Sequence, residues 1–131
     1  MTTIIDRILV CGGRDYHDRQ HLFFVLDTIC AYYGARPSLL IAGAAAGADT
    51  LAVQWASSRD VLFAEVEAEW DLYGSLAGPV RNAKMLRIGR PTLVIAFPGG
   101  AGTKDMIAKS RAAAVPVLEI TQHTPAASQV A

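Results

Sequence analysis

The chain has 131 residues, 52% of them apolar, with 12 basic and 12 acidic side chains. That length fits one domain, and a net charge of zero argues against a uniform field for nucleic acid or a membrane surface. No apolar run approaches the ~18 residues a membrane helix needs. The opening MTTIIDRILV carries acid and base inside its short apolar run, unlike a signal peptide, and the two cysteines, Cys11 and Cys30, lack a framework spacing. A soluble cytoplasmic protein with reduced thiols is expected.

In chain order, short β-rich runs alternate with longer helical stretches. Ile8 to Cys11 reads as a buried strand, and Asp18 to Tyr33 as a helix with Leu22, Val25, Leu26, Ile29 and Tyr33 on one face. Gly34 stops that helix. Leu39 to Ala42 is the second strand, and Ala48 to Ser58 the second helix with Leu51, Ala52, Trp55 and Ala56 inward. Val61 to Val66 is the third strand. Pro79 to Ile88 is the third helix, with proline in its first turn, where a missing N–H is harmless. Leu93 to Phe97, Thr103 to Ala114 and Val117 to Ile120 complete the series as strand, helix and strand.

This alternation, with continuously apolar strands, predicts an α/β fold: a Rossmann-like three-layer sandwich around a mainly parallel five-stranded sheet, with 3-2-1-4-5 the leading strand order. Residues 1–121 read as one domain and residues 122–131 as a small, polar C-terminal tail.

The glycines follow the strands. Gly12 and Gly13 come after the first, Gly43 and Gly47 after the second, and Gly99, Gly100 and Gly102 after the fourth. Ligands of open parallel sheets bind outside the carboxyl ends of the strands, at the switch in strand order. Three glycine-rich loops should therefore meet at one crevice. The last, FPGGAGT, opens into a helix whose first N–H groups and dipole suit an anion. A Cβ there would block a phosphate, and Thr103 adds a hydroxyl. The plainer reading is three tight turns. CGGRDY is not G-x-G-x-x-G, GAAAGAD puts no acid at the strand end, and no G-K-[ST] occurs. Neither a cofactor nor a metal is expected: His17 and His21 are spaced i, i+4 but lack a third ligand.

Taken together, CGGRDY, AGAAAGADTLA, EWDLYG followed by GPVRNAKML, and AFPGGAGTKDM resemble the SLOG superfamily, and more closely its YspA-type (cpYpsA-related) branch, over about residues 6 to 120. The resemblance implies a Rossmann-like domain that binds a nucleotide or nucleotide-derived ligand. Similar proteins include the Lonely Guy phosphoribohydrolases, which cut the N-glycosidic bond of nucleoside monophosphates, and the DNA-uptake protein DprA. In the hydrolases an arginine from R-K-x-x-M and a glutamate closing PGG-x-GT-x-x-E carry the chemistry. Here Arg81 takes the arginine's place, Asn82 the lysine's and Met106 the glutamate's. Asp105 lies one residue earlier, rotated by about 100° on a helix.

The resulting expectation is a binding domain with a sensing or carrier role. Gly12, Gly13, Gly43, Gly47, Pro98, Gly99, Gly100, Gly102 and Thr103 would form the loops, Arg14 and Arg81 would supply charge, and Asn82 and Asp105 would contact sugar or base. Asp49 is favoured structurally in the first turn of its helix, with a ribose contact as its alternative role. The alternative is a phosphoribohydrolase-type enzyme with Arg81 and Asp105 as its catalytic pair. A third reading, DprA-like binding of single-stranded DNA, meets the objection of zero net charge. Trp70 and Tyr73 are candidates to stack on a base, Trp70 equally to cap the core. Phe24, with Phe23 and Tyr32, marks a candidate homo-oligomer contact.

Overall fold

The computed structural model describes residues 3–121. Its elements are β1 (Arg7–Cys11), α1 (Arg19–Tyr33), β2 (Leu39–Ala42), α2 (Ala48–Ser58), β3 (Phe63–Glu65), α3 (Trp70–Tyr73), a 3-10 turn (Gly74–Leu76), α4 (Ala77–Gly89), β4 (Leu93–Ala96), α5 (Ala101–Ala112) and β5 (Val117–Glu119). The five strands form one parallel sheet in the order β3-β2-β1-β4-β5, as the sequence predicts.

The period-2 geometry of the strands builds two cores. Ile8, Val10, Leu40, Ala42 and Ile95 point to one face, where Leu22 and Leu26 of α1 and Ala52, Trp55 and Ala56 of α2 cover them. Leu9, Cys11, Ile41, Val94 and Ala96 point to the other, beneath Met85 of α4 and Met106 of α5. Asp27 ties α1 to α2, accepting from Trp55 Nε1 at 2.8 Å and pairing with Arg59 at 2.8 Å.

Several element boundaries differ from expectation, for local reasons. The third strand is only Phe63–Glu65, because the Val61 N–H is spent on the Ala56 carbonyl at the end of α2. The third helix begins at Ala77, and a short helix and a 3-10 turn precede it where the sequence suggests only a loop. The last helix begins at Ala101, so Gly102 lies within its first turn. Tyr33 is 43% exposed instead of inward, since the buried stripe of α1 is carried by Leu22 and Leu26. Gly34 closes α1 in the left-handed conformation at φ 63°, as a helix stop should. The predicted tail, residues 122–131, lies outside the described residues.

β1 and β4 are neighbours, but the chain leaves them for opposite faces: β1 leads to α1, and β4 leads to α5. The loops therefore part above the sheet, and a crevice opens between them.

Candidate functional site

The three glycine loops are joined through Gly13. Its N–H donates to the Pro98 carbonyl at 2.9 Å, and its carbonyl accepts from the N–H groups of Ala48 at 3.1 Å and Tyr16 at 3.2 Å. Backbone bonds thus link the ends of β1, β2 and β4 at one residue.

The glycines then divide by what surrounds them. A Cβ on Gly12 would lie 2.6 Å from the Ala48 Cβ, so this residue is needed for the close packing of the first loop on α2. Gly47 has φ +78°, and a Cβ there would collide with the Gly13 carbonyl oxygen. Substituents on Gly13, Gly43 and Gly99 would likewise meet loop atoms, the Arg81 guanidinium or the Thr103 hydroxyl. Gly100 and Gly102 differ. No atom comes within 4 Å of a Cβ at either, and neither has a left-handed φ. Their lack of a side chain is not required by the protein's own packing.

Those two residues open α5. Its N-cap, Gly100, gives no side-chain cap, and at this end the Lys104 N–H donates to the Gly100 carbonyl at 3.0 Å. The N–H groups of the first turn are the ones a helix cannot satisfy itself. They border a cleft of about 510 Å³, lined also by Cys11, Gly12, Gly13 and Arg14, by Ala45 and Asp49, and by Trp70, Arg81 and Asn82. Two shallower depressions adjoin it, and Arg14 lines all three.

A polar chain crosses the cleft. The Arg81 guanidinium donates to the Gly43 carbonyl through Nη1, and to Asn82 Oδ1 at 3.0 Å through Nε. Asn82, only 3% exposed, donates from Nδ2 to the Gly102 carbonyl at 3.2 Å and to Asp105 Oδ2 at 3.0 Å. Asp105 in turn pairs with Lys109 at 2.5 Å, one helical turn on. Burial would raise the Asp105 pKa, but the bonds from Lys109 and Asn82 outweigh it and hold the carboxyl below its ordinary value. Burial lowers the Arg81 pKa, opposed by the charge of Asp49 and reinforced by Arg14.

Asp49 stands on the α2 wall, 6% exposed, where Oδ2 accepts from the Ala45 N–H at 3.2 Å. Burial pushes its pKa up to about 6 against the Ala45 hydrogen bond, the Arg81 charge and a hydrogen bond from the Gly43 backbone. At the floor, burial and the Asp49 charge raise the Cys11 thiol to about 12, so it behaves as a small apolar residue.

Every residue that the sequence reading assigned to a ligand site therefore lies in these three loops or on the cleft walls, though several of the glycines are already explained by loop packing. Trp70 does not cap the core: it is 48% exposed at the mouth, with the Arg14 guanidinium 5.3 Å from its ring centre. Arg14 does not pair with Asp15, since the ion pairs among the described residues are Arg59–Asp27, Lys109–Asp105 and Arg111–Glu119. Ser75 and Gly78 at the rim were not anticipated. They arrive with the short helix and turn before α4, which have no periodicity long enough to read.

A doubly wound α/β domain with a glycine-lined cleft at its topological switch point is the class that fold and site define. The chain belongs to the YspA, cpYpsA-related SLOG family, whose model matches residues 6–73, just over half of the sequence. The match spans the first two glycine loops and ends at Tyr73. The chain is also similar to the "Gene 61 protein" of Mycobacterium phage D29, at 31% identity over 121 residues, covering 86% of this chain and 94% of that one.

Proposed function

We propose that the cleft binds a nucleotide-derived ligand, with a phosphate against the N–H groups at Gly100–Thr103, in a sensing or carrier role. The observation that carries this reading is the pair Gly100 and Gly102. They are glycines with open space around them and no left-handed φ, at an uncapped helix start inside a cleft that also holds Arg14 and Arg81. Family membership is consistent with it. Arg14 is exposed and unpaired with any carboxylate among the described ion pairs, which suits a group that closes on an anion.

The hydrolase alternative has less support. Met106, in the position of the hydrolases' glutamate, is fully buried beneath the sheet, and Asp105 is engaged by Lys109 and Asn82. The direct test is a thermal-shift screen of nucleoside monophosphates, cyclic nucleotides, dinucleotides and ADP-ribose, with release of free base followed in parallel. Stabilisation by a phosphate-bearing compound, lost on Gly102→Ala, is expected. No stabilisation by any of them would sink the reading.

A further inference from the structure

Asp49 and Asp105 are the acids that line the main cleft. Their situations are opposite. Asp105 is bound at both oxygens, Oδ1 by Lys109 at 2.5 Å and Oδ2 by Asn82 at 3.0 Å. Asp49 is held by backbone alone, accepting from the Ala45 N–H at 3.2 Å and from the Gly43 backbone, and belongs to none of the ion pairs among the described residues.

The place of Asp49 in α2 does not require its burial. An acid in the first turn of a helix gains from the dipole while fully solvated. Here the side chain is turned instead against the cleft wall at 6% exposure, facing Gly43 and the Arg81 guanidinium that donates to it. A buried carboxylate with unused acceptor capacity is matched by a donor from outside. Arg81 and Arg14 already supply positive charge to the cleft, so a neutral donor fits Asp49 better than a further cation. A vicinal diol presents two neutral O–H donors to one carboxylate, and an anion on the same molecule would suit the helix start across the cleft.

We propose that Asp49 selects the sugar of the ligand, its carboxylate accepting hydrogen bonds from the vicinal diol of a ribose whose phosphate lies at Gly100–Thr103. This rests on the phosphate reading given above and deepens it. Asp49 then distinguishes a ribose phosphate from its deoxy counterpart, and Asp105 does not.

The experiment is an NMR titration of the labelled protein with inorganic phosphate, ribose 5-phosphate and 2-deoxyribose 5-phosphate. Wild type is expected to prefer the ribose compound by roughly tenfold or more, the scale of a hydrogen bond to a charged group. The amides of Asp49 and Thr50 should respond to the ribose compound and not to phosphate. Asp49→Asn should still bind phosphate and lose the preference between the two sugars. Equal affinity of wild type for the two sugars, with phosphate still bound, overturns the role of Asp49 and leaves the phosphate reading standing. Binding of none of the three overturns both. Should Asp49→Asn fail to fold, the wild-type affinity ratio and amide responses still decide the matter.

Discussion

The Arg14 guanidinium lies over the Trp70 ring, 5.3 Å from its centre, at the mouth of the cleft. The contact joins the first glycine loop to the short helix before α4, so neither residue is held by its own element alone. An exposed cation–π contact of this kind contributes about 0.5–1 kcal/mol, less than a charge-assisted bond to phosphate at about 1.5–3 kcal/mol. An arriving anion should therefore draw Arg14 away from the ring. The chain has two tryptophans, and Trp55 is buried, so the exposed Trp70 should dominate any change in indole fluorescence on titration. We predict a saturable change with phosphate-bearing ligands that disappears in Trp70→Phe, and a roughly tenfold weaker midpoint in Arg14→Ala. An unchanged midpoint in Arg14→Ala would remove Arg14 from the site.

The glycines of the loops should respond to alanine in two ways. Gly102→Ala adds a methyl group into open space within a helix and should stabilise the fold by about 0.5–1 kcal/mol, while weakening phosphate binding. Gly47→Ala forces a side chain into φ +78° and onto the Gly13 carbonyl, and should cost more than about 2 kcal/mol. Urea denaturation of the two variants separates a residue kept for the ligand from one kept for the fold. A destabilised Gly102→Ala would return that glycine to the structural class.

Asp49 makes a prediction of opposite sign to the usual carboxylate. Its pKa is about 6 in the fold against an ordinary value of 3.8, so between those values the folded state holds the extra proton. Stability is therefore greatest below about pH 4 for this group and falls as pH rises through 6, by on the order of 2–3 kcal/mol in total. The charges that face it are Arg81, which favours ionisation, and Glu65, which opposes it. Asp49→Asn should melt higher than wild type at pH 7.5 and close to it at pH 4.5. Equal melting temperatures at both pH values would mean that the carboxylate is not penalised by burial.

The strand order was legible because each buried strand is an apolar run closed by glycine, and alternating elements leave few right-handed topologies. The meeting of the loops was legible for the same reason: Gly12–Gly13, Gly43–Gly47 and Gly99–Gly102 all fall at carboxyl ends of strands. What each glycine does was not. Gly12 and Gly100 read alike in sequence, yet Gly12 is set by contact with Ala48, some 36 residues away, and Gly100 by none. Nor does the sequence distinguish Asp49 from Asp105, each an acid near a helix start. Only the placement of the Lys109 and Asn82 side chains around Asp105, and of the Ala45 and Gly43 backbone around Asp49, separates them.

Met106 decides how far the resemblance to the phosphoribohydrolases can extend. It occupies the position of their glutamate, is fully buried, and packs among Leu9, Cys11, Met85 and Val94 between the sheet and the helices α4 and α5. A carboxylate there would lose water with no ion-pair partner among these neighbours. Met106→Glu should destabilise the protein by about 3–5 kcal/mol at neutral pH. Burial would raise the new acid's pKa, so the loss should be smaller at pH 4.5 and grow as pH rises. Met106→Gln, polar but uncharged, should be affected with no such dependence on pH. The readout is the melting temperature of both variants across that range, with release of free base from nucleoside monophosphates measured alongside. A Met106→Glu protein as stable as wild type at neutral pH, and turning substrate over, would show that this position opens to the cleft and that the glutamate's absence alone keeps the domain from hydrolysis.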